Sequence, residues 1–298
     1  MEITLTAADL TAKVNLLGAQ LTSLKKGELE YLWQADPAFW GASAPVLFPT
    51  IGALKDQKTL IDGISYQMHK HGFAREELFE LEEHSADRVV LALRDNLRTR
   101  EQYPYSFLFR VAFRLDNNSL TTSYICRNLG EREMYYMAGG HPAFNCPLQS
   151  TSELRAADRF KDCCLVFEYP ETLQMPRILP GGIVDLDDRI PVFQNQKELP
   201  LDRGLFYNDT LLFTQLKSRW VKMLDCRTGY GVQVSFAGMD YLAVWTPNQV
   251  DAPFLCLEPW MGLPDCADGD GIFSHKRGIR RLLPGEEAAV SFITTPLA

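Results

Sequence analysis

The sequence predicts an all-β fold, a large antiparallel sandwich or barrel, and three observations carry that expectation. Short apolar-alternating runs recur along the chain, separated by Gly, Pro, Asn and Asp. Helical periodicity is scarce. No composition break, low-complexity linker or internal repeat divides the 298 residues, so one domain spanning 1–298 is expected, with 46% hydrophobic residues to fill its core.

Taken in order, the N-terminal segment alternates through turn points at Gly18 and Lys26-Gly27. Asp36 to Gly41 fits a single short turn. Thr59 to Met68 predicts a hairpin turning at Asp62-Gly63, a dipeptide that tolerates the positive φ a tight turn demands. Runs at Arg88–Asn96 and Phe107–Asp116 read as strands, and Asn117-Asn118 turns the chain into SLTTSYICRN. Residues 151–165 and 194–203 are mixed and read as loops with a helical turn. Further strands are expected at Gly231–Ala237, Tyr241–Thr246, Phe254–Glu258 and Ala288–Thr295.

Charge and cysteine usage narrow the function. A net charge of −8 speaks against nucleic acid or an anionic membrane as partner. The densest basic cluster, Lys276, Arg277, Arg280 and Arg281, reads as a solvated face. No apolar stretch approaches the length of a membrane span, and the N-terminus lacks signal-peptide character. The seven cysteines are odd in number, scattered and without C-x-x-C pairs. They read as reduced thiols of a cytoplasmic protein.

Two titratable residues stand out. Glu258 lies in FLCLEPW, where burial of a carboxylate is costly unless it is paired or used, and desolvation raises its pKa toward the range of a working base. His141 lies in AGGHPAFN. Each directly precedes a proline, which biases its backbone toward extended geometry, so both are expected at strand ends. A base and an acid held rigidly point to proton transfer; a buried ion-pair carboxylate and a satisfied core histidine are the plainer alternatives.

Other candidates are weaker. His69 and His71 in MHKHGFAR share a face if extended, and suit a groove, a metal pair or a surface turn. Asp209 in FYNDTLLF fits a turn cap or a sugar-hydroxyl acceptor. The acidic loop PDCADGDG at 264–271 fails the calcium-loop pattern and reads as a solvated turn. Trp260 and Phe144 offer an apolar platform for a ligand, or core.

Four segments in order, HGFAR at 71–75, GGHPAFN at 139–145, NDTLLF at 208–213 and LEPWMGLPD at 257–265, resemble the aldose 1-epimerase (galactose mutarotase) superfamily. The resemblance implies a galactose mutarotase-like β-sandwich that interconverts the anomers of an aldose, with no metal or cofactor. It places the base on Glu258, the acid on His141, and sugar binding on His71, Arg75 and Asp209. The chain departs from galactose mutarotases proper at Gly52-Ala53-Leu54-Lys55, where they carry an Asn-Arg pair. It departs again at Lys70-His71-Gly72-Phe73, where they carry Leu-His-Gly-Gly. The form is nearer branches that include hexose-6-phosphate mutarotases, and Lys55, Lys70 and Arg75 are the cations available to a phosphate. A sugar-binding protein without catalysis and a two-carboxylate glycosidase using Asp209 or Asp265 are the competing readings.

Overall fold

The computed structural model describes residues 1–148 and 156–297. Two antiparallel sheets dominate. The larger has nine strands and runs, edge to edge, Ile183–Pro200, Cys163–Leu179, Trp220–Asp225, Gly231–Ser235, Glu287–Leu297, Leu120–Asn128, Phe107–Leu115, Arg88–Arg94 and Glu80–His84. The smaller runs Leu211–Phe213, Tyr241–Trp245, Phe254–Trp260, Gly139–Gly140 and Val46–Leu47, with Ala143–Asn145 also paired to Phe254–Trp260. A four-stranded meander over Glu2–Glu30 adds its own apolar face to the core. This is the large antiparallel β-sandwich expected of the sequence.

The alternation that predicted the strands is what buries them. In Leu120–Asn128 every second residue is buried, from Leu120 to Asn128, because successive side chains leave opposite faces. Between the two sheets lies one continuous apolar layer. Phe48, just beyond the Val46–Leu47 strand, stacks on Phe109 of the larger sheet with centroids 4.1 Å apart. Phe213 meets Phe167 edge to face at 5.8 Å. The 59–68 hairpin forms with Asp62-Gly63 at its turn.

One expectation needs correction, one is met in part, and one element was not expected. The segment 194–203 is no loop: Cys163–Leu179 and Ile183–Pro200 form a long hairpin. Register shifts along the pair accommodate its prolines Pro170, Pro176 and Pro191, which have no N–H to give a ladder. Of the segment 151–165, residues 151–155 lie outside the described residues, Ala156–Asp162 is a 3-10 turn, and Cys163 opens the hairpin. A short helix at Leu97–Gln102 went unread, although its capping box is plain: Asn96 Oδ1 accepts the Thr99 N–H at 3.0 Å, and Thr99 Oγ1 accepts the Asn96 N–H at 2.9 Å.

Candidate active site

A cleft of about 860 Å³ opens beside the smaller sheet, and its floor follows from strand register. Gly139 pairs with Trp260 and Ala143 with Cys256. The two pairings share one register, which sets His141 directly opposite Glu258. His141-Pro142 is therefore a break in what is otherwise one strand. Pro142 and Pro259, one on each side, have no N–H to give the ladder. The Leu257 N–H donates to the Pro142 carbonyl at 3.1 Å, and the His141 N–H donates to Pro45 at 3.1 Å. Contrary to expectation, Glu258 is not at a strand end; it sits inside the fully buried strand Phe254–Trp260.

Alternation along that strand divides its side chains. Leu255 and Leu257 enter the main core, while Phe254 and Cys256 pack with Trp33 and Ala143 in a second cluster. Glu258 shares the face of Phe254 and Cys256. Its carboxylate is 1% exposed, and its Oε2 lies 3.3 Å from His141 Nε2. Neither Glu258 Oε2 nor His141 Nδ1 makes an aligned hydrogen bond among the described residues.

Burial governs the charge of this pair. Desolvation pushes the Glu258 carboxyl well above the usual range, and the Asp209 charge adds to it. Lys70 and the Trp260 indole N–H act in the opposite sense. Desolvation pulls His141 down to about 3, and Lys70 and Arg75 add to the effect against a backbone hydrogen bond that raises it. Burial thus favours the uncharged form of both groups, the carboxylic acid at Glu258 and the neutral imidazole at His141.

His71 reaches the cleft from an unusual backbone. Its φ is 71° and that of Gly72 is also 71°, two left-handed residues in succession. A Cβ on Gly72 would collide with the Phe48 carbonyl, so only glycine fits there. The His71 N–H donates to the Gly52 carbonyl at 2.9 Å, and the Gly52 N–H returns a bond to His71 Nδ1 at 3.1 Å. That fixes the tautomer: Nδ1 accepts, and Nε2 carries the hydrogen and is available to donate. Burial, reinforced by His141, holds His71 well below its ordinary pKa, so it is a neutral donor. Its ring stands 5.6 Å from that of His141 and 6.0 Å from that of Trp260.

Arg75, Asp209 and Lys70 also line the cleft. Arg75 donates to the Lys70 carbonyl at 3.0 Å, tying the two together. Asp209 sits at φ 75° after the turn at Phe206. His69 does not share the groove with His71. The two lie in a turn rather than a strand, and His69 is exposed with Nδ1 3.1 Å from Gln57.

Lys55 is likewise occupied elsewhere: its Nζ donates to the carbonyls of Ala267 and Gly269 at 2.9 and 2.8 Å. The 264–271 segment is only partly a solvated turn. Asp265 is buried, accepts the Lys55 N–H at 2.9 Å and pairs with Lys276. Lys276 is thus no member of a solvated basic face, whereas Arg277, Arg280 and Arg281 form exposed pairs with Asp268, Asp240 and Glu133.

Of the two aromatics offered as platform or core, both are buried in the core. Phe144 is wholly in the core. Trp260 touches the cleft but is 4% exposed. Trp40 and Trp245 flank His141 instead, at 5.0 and 5.7 Å between centroids; a lone tryptophan in sequence carries no sign of which surface it faces. His141, Cys256 and Glu258 bring three donor atoms within 4.8 Å of one another. The Cys256 thiol, pushed well up by burial, resists the thiolate form that metal ligation needs.

Comparison with known proteins gives a consistent result. A family model described as aldose 1-epimerase matches residues 1–287. The plasmid and chromosomal forms of Protein LacX from Lactococcus lactis subsp. lactis are each 36% identical over 308 residues, covering all of both chains. Among solved structures, a galactose mutarotase related enzyme from Lactobacillus acidophilus superposes with a TM-score of 0.92 at 30% identity, covering 100% of this chain and 98% of that one. A galactose mutarotase-like protein from Lactobacillus casei gives 0.91 at 27%, covering 99% and 100%.

Proposed function

The chain belongs to the aldose 1-epimerase family, and on that premise we propose that it interconverts the α and β anomers of a hexose or hexose phosphate by general acid–base ring opening, with Glu258 as base and His141 as acid. The observation that carries this reading is the buried 3.3 Å contact between His141 Nε2 and Glu258 Oε2 on the cleft floor.

Glu258 takes the proton of the C1 hydroxyl, the O1 electrons form the C1 carbonyl, and the C1–O5 bond breaks. The electron pair left on O5 takes a proton from His141. Rotation about C1–C2 presents the other carbonyl face, and the two groups reverse roles to close the ring. Two arrangements of the pair carry the same number of protons: carboxylic acid with imidazole, and carboxylate with imidazolium. Burial favours the first. The reaction uses the second: Lys70 and a sugar hydroxyl donating to the carboxylate favour the ionised Glu258, while Lys70 and Arg75 oppose the imidazolium.

His71 Nε2–H and Asp209 supply a donor and an acceptor for sugar hydroxyls. Lys70 and Arg75 are the observation behind a phosphorylated substrate. Asp265 is committed to Lys276, which removes one carboxylate from the two-carboxylate alternative.

The test is anomer exchange by saturation-transfer NMR with galactose, glucose and their 6-phosphates. Acceleration with one sugar, lost in Glu258→Gln and His141→Asn, is expected. Binding of a sugar with no acceleration at high protein concentration would sink the proposal and make the protein a sugar-binding module.

A further inference from the structure

The second ring nitrogen of a histidine that moves protons is ordinarily held by a hydrogen bond, which fixes tautomer and ring plane. His141 has that device only in a weak form. Its Nδ1 is closed to solvent and makes no aligned hydrogen bond among the described residues, and the backbone contact that raises its pKa is outweighed by burial. Something else must hold the ring against Glu258.

The aromatic surroundings supply it. The Trp40 indole lies over the imidazole at 5.0 Å with 30° between the planes, and Trp245 meets the ring at 79°. Trp40 is itself well anchored. Its N–H donates to the Asp36 carbonyl at 2.9 Å, and its carbonyl accepts the Trp33 indole N–H at 2.9 Å. It stacks on Phe254 at 5.7 Å and meets Trp245 edge to face at 5.6 Å. An indole face also attracts a cation above it, so the same contact favours the imidazolium over the neutral ring.

We propose that Trp40 is the positioning residue of His141: its indole face holds the imidazole plane toward Glu258 and stabilises the imidazolium through the acid step, in place of an aligned bond at Nδ1. The inference rests on the anomer-exchange reading for its kinetic consequence, and on the stacked geometry alone for its structural one. Trp40 acts through another residue, so its effect belongs in turnover rather than in sugar affinity.

The test compares Trp40→Phe and Trp40→Leu, each alone and with His141→Asn. Trp40→Leu is expected to lower kcat about 2- to 30-fold, the range a cation–π contact supports, with KM little changed. Trp40→Phe should restore most of the rate, because it keeps an aromatic face that leucine lacks. In the His141→Asn background Trp40→Leu should cost nothing more, since residues acting as a unit are not additive.

A rise in KM at unchanged kcat would make Trp40 a sugar platform, and additive losses would make its effect independent of His141; either overturns the proposal. A readout independent of catalysis is the proton NMR of the five histidines. The His141 Cε1–H resonance is expected to carry a ring-current displacement that Trp40→Leu abolishes. An unmoved resonance refutes the stack even if the enzyme is active. Absence of anomer exchange in the wild type, with the displacement present, refutes the reaction and leaves the stack standing.

Discussion

Replacing Glu258 by glutamine should make the protein more stable and nearly inactive, and the two effects have one cause. The carboxyl is 1% exposed among Phe254, Cys256 and Trp260, and burial lifts its pKa well above the ordinary 4.5. The unfolded chain releases this proton as pH rises through about 4.5, while the folded chain keeps it. Between those two pKa values the folded state binds the extra proton, so stability falls with rising pH by about 1.4 kcal/mol per unit. Glutamine keeps the volume and removes the titration. Across the interval between those two values the advantage of Glu258→Gln over wild type should therefore grow with rising pH by about 1.4 kcal/mol per unit. Below pH 4.5 both states are protonated and the advantage stops changing. Over the same substitution kcat should fall about 10²–10⁴-fold, the range for losing one proton-transfer group. Denaturant melts of both proteins at pH 5, 5.75 and 6.5 give the first quantity, and anomer exchange gives the second. Parallel stability curves would show that Glu258 is already ionised in the folded chain, and the argument that burial poises it as a base would fail.

His141 works in the opposite direction. The folded chain keeps it neutral down to about pH 3, whereas the unfolded chain takes a proton below about 6.5. His141→Asn should thus be less acid-sensitive than wild type, by about 1.4 kcal/mol per unit below pH 6.5, read from urea midpoints; equal acid sensitivity contradicts it. His71→Leu leaves the Gly52 N–H without its acceptor, and should cost about 1–3 kcal/mol of stability while weakening sugar binding in titration calorimetry. Unchanged melting and affinity would rule out the donor role. Lys276→Met strands Asp265 as a buried charge and should cost about 3–5 kcal/mol, most of it recovered by adding Asp265→Leu. A single variant as stable as wild type would show the pair to be solvated.

The sequence made the sandwich and the central pair legible for physical reasons. Alternation reports directly on which face of a strand is buried, and a carboxylate among Phe, Leu and Cys has few inexpensive explanations. The proline after each residue marked the interrupted ladder, although it was read as a strand end. What stayed hidden depends on distant partners. The Lys55 side chain is taken by the carbonyls of Ala267 and Gly269, 212 and 214 residues away, and that of Lys276 by Asp265. The long hairpin of 163–200 was hidden because its alternation is broken by irregular register, including at its prolines. Trp40 became visible only when its loop folded over His141.

The opposed placement of His141 and Glu258 on adjacent strands separates two things that evolution or an engineer might wish to change independently. The His141–Glu258 pair is spaced by sheet register, which loop insertions and deletions do not alter. Much of the wall that meets a ligand comes from other segments: the tip of the 163–200 hairpin at Ile178 to Gly182, the turn bearing Asp209 and the loop 247–250. Exchanging those segments offers a route to new substrates that leaves the chemistry in place, and a library confined to them should retain turnover more often than one directed at Val46–Leu47 or Gly139–Asn145.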